Sequence, residues 1–227
     1  MGSPQLRNQG TIGGNLCQRP RCWYFRGEFR CAKKGGDMCY AVDGENRYHA
    51  ILGGGPCYIV HPSDPAPMLS ALGAELTLEG PAGRRRVPIA DFYQLPIDNL
   101  TGETVLERGE IVVGIRIPAP GPGARSVYRK VRERQAWDFA LASVALALDF
   151  DGARVTGGRI VLGGVAPVPW RSEAAEQVVL GKEMTPEVAA AAAGAAVADA
   201  EPLEQNGFKV ALVRRLLEAE LVGLGRG

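Results

Sequence analysis

Beyond residue 73 the chain falls into two halves with different periods of hydrophobic and polar positions. Strands are expected at 74–79 and near 85–89, and residues 109–117 alternate as a further strand half-buried in a sheet. Gly80 to Gly83 punctuates the first two as a hairpin. Past a hinge at Pro118 to Gly123, three more strands are expected at 125–131, 140–149 and 154–163, with Asp149 to Gly152 turning the last pair. The period then lengthens to that of helices, at 172–180, 186–199 and 208–222. Thr185-Pro186-Glu187 is a helix start, threonine as N-cap and proline in the first turn. In the last helix Val210, Val213, Leu217 and Leu221 share one face. A short helix is expected at 64–73, capped by Ser63 or Asp64. The first sixteen residues, glycine-rich around Gly10, Gly13 and Gly14, read as strand–turn–strand. Residues 17–60 show neither period.

Composition narrows the class. The 227 residues carry 26 basic and 25 acidic side chains, a net of +1, which argues against a nucleic-acid or membrane-surface protein. The arginines at 84–86 fit a solvated sheet edge. A hydrophobic fraction of 46% supports a packed core, and the apolar run from Ala140 to Leu148 is too short to span a bilayer. The polar start has no export signal, so a cytoplasmic location is expected, with export possible only alongside a partner.

The aperiodic stretch holds all five cysteines, at 17, 22, 31, 39 and 57. An odd count without an export signal disfavours disulfides, and no Cys-x-x-Cys redox pair is present. Four thiolates suit zinc, although zinc ligands more often come in close pairs. Cys22, Cys31, Cys39 and Cys57 are nine, eight and eighteen residues apart on a glycine-broken loop. Such spacing better suits an iron–sulfur cluster, whose corners are reached from separate turns. Trp23, Tyr24, Phe25, Phe29 and Tyr40 are available to exclude water from it. His49 either donates to a sulfur or packs. Neither it nor His61 has a catalytic partner by spacing, so no acid–base pair or nucleophile is nominated.

Taken in order, certain segments resemble the flavin-binding subunit of the xanthine dehydrogenase family of molybdenum hydroxylases. They are Arg7-Asn8-x-Gly10-Thr11-Ile12-Gly13-Gly14-Asn15, Pro62-Ser63-Asp64, Ala71-Leu72-Gly73-Ala74, Gly109-Glu110-Ile111 with Ile117-Pro118, Tyr128-x-Lys130-Val131-x-x-Arg134, and Leu162-Gly163-Gly164-Val165-Ala166-Pro167. The cysteine loop, with Arg21-Cys22-x-Tyr24-Phe25, Cys31-x-Lys33-Lys34, Cys39, Asn46-Arg47-x-His49-Ala50 and Cys57, is similar to an insertion. It holds a [4Fe–4S] cluster in a subset of the family, as in 4-hydroxybenzoyl-CoA reductase.

The resemblance implies an α+β chain. Residues 1–118 would be the second subdomain of an FAD-binding domain of the molybdopterin dehydrogenase type, with the cluster loop at 17–60. Residues 119–227 would be a C-terminal domain like that of the CO dehydrogenase flavoprotein, a three-stranded antiparallel sheet on helices. It implies FAD held by Thr11, Ile12, Gly13, Gly14, Asn15, Ser63, Asp64, Val112 and Lys130. The cluster would be held by Cys22, Cys31, Cys39 and Cys57, with Cys17 spare. Expected partners are a large molybdenum-cofactor subunit and a small [2Fe–2S] subunit. The family's pyrophosphate loop has no counterpart before Arg7, so the resemblance implies a fragment, a misplaced start or a separate N-terminal piece. The alternatives are a zinc-binding structural module and an assembly scaffold that cannot hold FAD alone.

Overall fold

Local hydrogen bonding decides the first turns. In the computed structural model, which describes residues 2–226, the opening segment forms two short helices, α1 (Pro4–Gln9) and α2 (Ile12–Leu16). This corrects the expected strand–turn–strand. Ser3 caps α1 by accepting from the Leu6 N–H, with Pro4 in the first turn, and Thr11 caps α2 by accepting from the Gly14 N–H. Two cap residues outweigh the glycines. The cysteine loop that follows holds one turn of helix, α3 (Trp23–Arg26), and a 3₁₀ turn at Ala32–Lys34.

Helix α4 (Pro65–Ala71) starts where expected, but Ser63 supplies the cap, its Oγ accepting from the Ala66 N–H at 3.3 Å. Asp64 is thereby released for another role. Strands β1 (Glu75–Gly80), β2 (Gly83–Pro88) and β3 (Ile111–Arg116) form an antiparallel sheet in the order β2-β1-β3. Leu76 and Leu78 of β1 are fully buried against Leu16, Ile89 and Phe92. The arginine triplet lies on edge strand β2 as expected, with Arg84 and Arg86 exposed. Arg85 grips Glu110 through two bonds of 2.7 and 2.8 Å and also reaches the Val105 carbonyl. Among the described residues β3 has no strand on its outer edge, and its Ile111 is 63% exposed.

The second sheet has four strands, where three were expected: β4 (Ala124–Val131), β5 (Ala142–Asp151), β6 (Arg154–Gly163) and β7 (Trp170–Arg171), in that order and all antiparallel. Two-residue β7 is too short to leave a period in the sequence. Helices α5 (Glu173–Val179), α6 (Pro186–Ala195) and α7 (Phe208–Arg226) cover one face. Val144, Leu146 and Leu148 there meet Val179, Ala192, Val213, Leu217 and Leu221. The other face, through Ala145 and Val161, meets Ala71 of α4. A Cβ on Gly163 would stand 2.7 Å from Pro67 Cγ, so this glycine lets α4 lie on β6. Ala66 and Leu69 of α4 belong to the first core, so this one helix joins the two sheets.

Two substitutions test this packing by urea denaturation. Leu217→Ala empties a fully buried site and is expected to cost about 2–5 kcal/mol. Thr185→Ala removes the cap that accepts from the Val188 N–H and is expected to cost about 1 kcal/mol.

Candidate functional site

The cysteine loop lacks a backbone ladder of its own, so side chains from both modules hold it. Lys33 is buried; its Nζ donates to the carbonyls of Leu100 and Gly102 at 3.1 and 2.9 Å and pairs with Glu103 at 3.0 Å. Glu103 also takes Arg19 at 3.0 Å. On the opposite side Asn46 and Gln205 exchange main-chain and side-chain hydrogen bonds of 2.9 and 3.3 Å. Asn206 Nδ2 donates to the carbonyls of His49 and Ala50. Lys209, fully buried, donates to Tyr48, His49 and Gly164. Burial pushes its pKa down to about 7, while three carbonyl acceptors favour the ammonium, which alone offers three N–H donors.

So held, the loop brings Cys22, Cys31, Cys39 and Cys57 to the wall of one small cavity, which they share with Tyr24, Phe25, Tyr40 and His49. The cavity has room for about one water, near 10 Å³. All five cysteines are free thiols. Cys39 and Cys57 share a hydrogen bond that lowers Cys39 to about 6 and raises Cys57, the two titrating as a pair. Cys22 is raised by burial, as is Cys17, which packs beside the first sheet's core away from the four. His49 Nε2 lies 3.2 Å from Cys22 Sγ. Tyr24 stacks on Tyr40 at 6.0 Å and meets Phe29 edge-on at 5.0 Å, enclosing the cavity in rings. The donor set is that of an iron–sulfur or zinc site, but the thiols are closed on their space. Among the described residues no group of three or more His, Cys, Asp or Glu side chains stands close enough together to hold a metal ion.

A second, larger cavity of about 220 Å³ adjoins the first, and Cys22 and His49 line both. Trp23, Tyr48 and Phe139 supply aromatic wall; Ser63, Asp64, His61, Glu133 and Asp138 supply polar groups. His49 Nδ1 and His61 Nε2 are buried without hydrogen-bond partners. Two unpartnered nitrogens beside aromatic rings suit a flat, heteroatom-edged ligand such as a flavin ring. The volume admits a ring system rather than a whole dinucleotide. Across the mouth, Arg21 stacks on Phe139 at 5.5 Å, and Glu133 accepts from the Tyr48 hydroxyl at 3.0 Å. Between them Trp137 holds a left-handed φ of 53°, a strained state for a bulky residue.

The resemblance-derived flavin residues divide. Ser63 and Asp64 line the larger cavity, whereas Thr11, Ile12, Gly13, Gly14, Asn15, Val112 and Lys130 do not. Asn15 is joined to the cavity through its Oδ1, which accepts from Ser63 Oγ at 2.8 Å. Gly13 is a packing requirement: a Cβ there would stand 3.0 Å from the Val112 carbonyl oxygen. Lys130 is neither solvated nor in the cavity wall. It pairs with Asp64 at 2.9 Å and donates to the Asp138 carbonyl at 2.6 Å. The side chains of this pair are only 10% and 15% exposed. Tyr128 also reaches Asp64, and burial with that carboxylate raises its pKa.

Two sheets, an α4 joint and a flavin-sized cavity define a class, and comparison with known proteins gives the same class. Residues 1–120 match the family model described as the FAD binding domain in molybdopterin dehydrogenase, and residues 126–222 match the CO dehydrogenase flavoprotein C-terminal domain. The chain belongs to this family of flavoprotein subunits. It is 41% identical over 224 residues to the aldehyde oxidoreductase FAD-binding subunit PaoB of Escherichia coli strain K12, covering 96% of this chain and 67% of that one. It is 32% identical to the carbon monoxide dehydrogenase medium chain of Hydrogenophaga pseudoflava, covering 96% of this chain and 61% of that one. A solved carbon monoxide dehydrogenase from Hydrogenophaga pseudoflava superposes with a TM-score of 0.68 at 32% identity, over 96% of this chain and 62% of that one. The chain thus spans about two thirds of the length of these relatives. Among the described residues no helix is long and apolar enough to cross a membrane.

The buried histidines give a pH dependence. Burial lowers His61 from the ordinary 6.5 to about 4. The unfolded chain therefore binds more protons between those values, and stability falls as pH drops from 6.5 towards 4. At about 1.4 kcal/mol per unit, His61 is expected to cost about 2 kcal/mol between pH 7 and pH 5. His49, also held at about 4, acts in the same window. Urea midpoints at the two pH values check this, with His61→Gln expected to shrink the difference by about the His61 share.

Proposed function

We propose that this chain is the flavin-carrying electron-transfer part of a molybdenum hydroxylase, with an additional [4Fe–4S] cluster on its cysteine loop. The observation that carries the reading is the pair of adjoining cavities, one aromatic and flavin-sized, one walled by four cysteines, with Cys22 and His49 common to both. Family membership and the relatives' descriptions support it: FAD-binding subunits and medium chains of aldehyde oxidoreductase and carbon monoxide dehydrogenase.

In this reading residues 1–118 serve as flavin module and 119–227 as the C-terminal domain. Ser63 and Asp64 meet FAD at the cavity, and the Thr11–Asn15 turn is fixed behind them through the Asn15–Ser63 bond. Val112 backs that turn, and Lys130 sets the charge and orientation of Asp64. Cys22, Cys31, Cys39 and Cys57 would hold the cluster. When bound, FAD supplies a two-electron carrier and the cluster a one-electron carrier. The chain's own part is to position both, exclude water with Tyr24, Tyr40 and Phe139, and keep His61 neutral in the cavity wall. No acid–base pair for substrate chemistry is nominated on this chain. We assign that chemistry to a large molybdenum-cofactor subunit, with a small [2Fe–2S] subunit passing electrons to this one.

The tightness of the cysteine cavity favours one rival, a single zinc ion. Anaerobic purification separates the two. About four iron and four sulfide per chain with brown absorbance is expected; one zinc in a colourless chain overturns the cluster. FAD is tested separately, by titrating flavin into the chain alone and into its complex with the two partner subunits. Flavin quenching in the complex is expected, and its abolition by Asp64→Ala. A complex that binds no flavin at all overturns the flavin reading.

A further inference from the structure

Helix α7 carries a lysine where its buried stripe calls for an apolar residue. Lys209 lies one turn before Val213, in line with Leu217 and Leu221, and all four are fully buried. Lysine is seldom buried without an acid, and burial is the sole influence moving this one, with no carboxylate to offset it among the described residues. A leucine or methionine would fill the same stripe without desolvating a charge. What Lys209 gains there is three hydrogen bonds, to the carbonyls of Tyr48 at 2.9 Å, His49 at 3.0 Å and Gly164 at 2.8 Å.

Those three residues all line the larger cavity. Tyr48 and His49 belong to the cysteine loop, while Gly164 follows β6. One ammonium therefore ties two separate stretches of the cavity wall together. The His49 carbonyl takes a second donor, Asn206 Nδ2, at 3.2 Å. The other end of His49 is its imidazole, 3.2 Å from Cys22 Sγ, in the partition common to the two cavities. With its backbone fixed by two donors, few imidazole positions remain, and one rests on the sulfur.

We infer that Lys209 is a positioning residue for the partition: it clamps Tyr48 and His49 against Gly164 and thereby holds the His49 imidazole on Cys22. The C-terminal domain in this way sets the geometry of a sulfur in the other module. The inference goes beyond the flavin and cluster readings and rests on neither, since it concerns the chain's own side chains.

Its test uses the full chain, metal-free and reduced, with N-ethylmaleimide as the probe and the modification rate of each cysteine followed by mass spectrometry. The readout is the rate at Cys22 divided by that at Cys17. Cys17 packs beside the first sheet's core, so general loosening of the fold moves both rates and leaves the ratio. Lys209→Met is expected to raise the ratio about tenfold, and His49→Ala to raise it as much. The double variant is expected to match His49→Ala alone, because two changes acting through one contact are not additive. Lys209→Arg keeps the charge, but its planar fork cannot meet three converging carbonyls, and a rise of about threefold is expected. An unchanged ratio in folded Lys209→Met overturns the inference, as does a double variant showing the product of the single effects. If Lys209→Met does not fold, Lys209→Arg decides, and an unchanged ratio there overturns it equally.

Discussion

The donation of side-chain hydrogen bonds into a loop that cannot satisfy its own backbone is the constraint on which the candidate site depends. Residues 17–60 contain one helical turn and one 3₁₀ turn, so most of their carbonyls have no ladder to join. Lys33 instead ties the loop outward, donating to the carbonyls of Leu100 and Gly102. Asn206, just before α7, and Lys209 within it answer from the C-terminal side. Each buried lysine costs desolvation, and the loop's order offsets that cost. Without these anchors the four cysteines have no reason to share a cavity, and the aromatic cavity beside them loses a wall.

The α4 joint and the Asp64–Lys130 pair extend the same logic. Ser63 caps the helix, so the neighbouring carboxylate is free to face Lys130 of β4 across the two modules. The pair is largely shielded from water, where an ion interaction is stronger but removal of one partner strands the other. A residue from the first module and one from the second therefore form a single electrostatic unit at the cavity's edge.

From residue 64 onward the elements were legible because burial there follows simple periods: Leu76 and Leu78 point inward from β1, and Val213, Leu217 and Leu221 from α7. The glycines at 10, 13 and 14 mask the opening helices, whose signal is Ser3-Pro4 and Thr11 as caps. Strand β7 is too short to show a pattern. Within the site, Asp64 and the four cysteines stand out by residue type and spacing, and Ser63 through the family resemblance. Lys209 was not, because lysine is read as solvent-facing. Its position four residues before Val213 on the apolar stripe was the available signal. Tyr48, Phe139 and His61 join the cavity through chain folding over long separations, which no local pattern encodes.

The open edge of β3 has a different consequence. Its outer row of N–H and C=O groups carries no strand among the described residues, and Ile111 and Val113 stand exposed beside it. Proteins usually blunt such edges with charge or proline, and here Arg116 and Pro118 do so only at one end. Handled as a free polypeptide, the chain carries its own nucleus for edge-to-edge association in the six residues of β3.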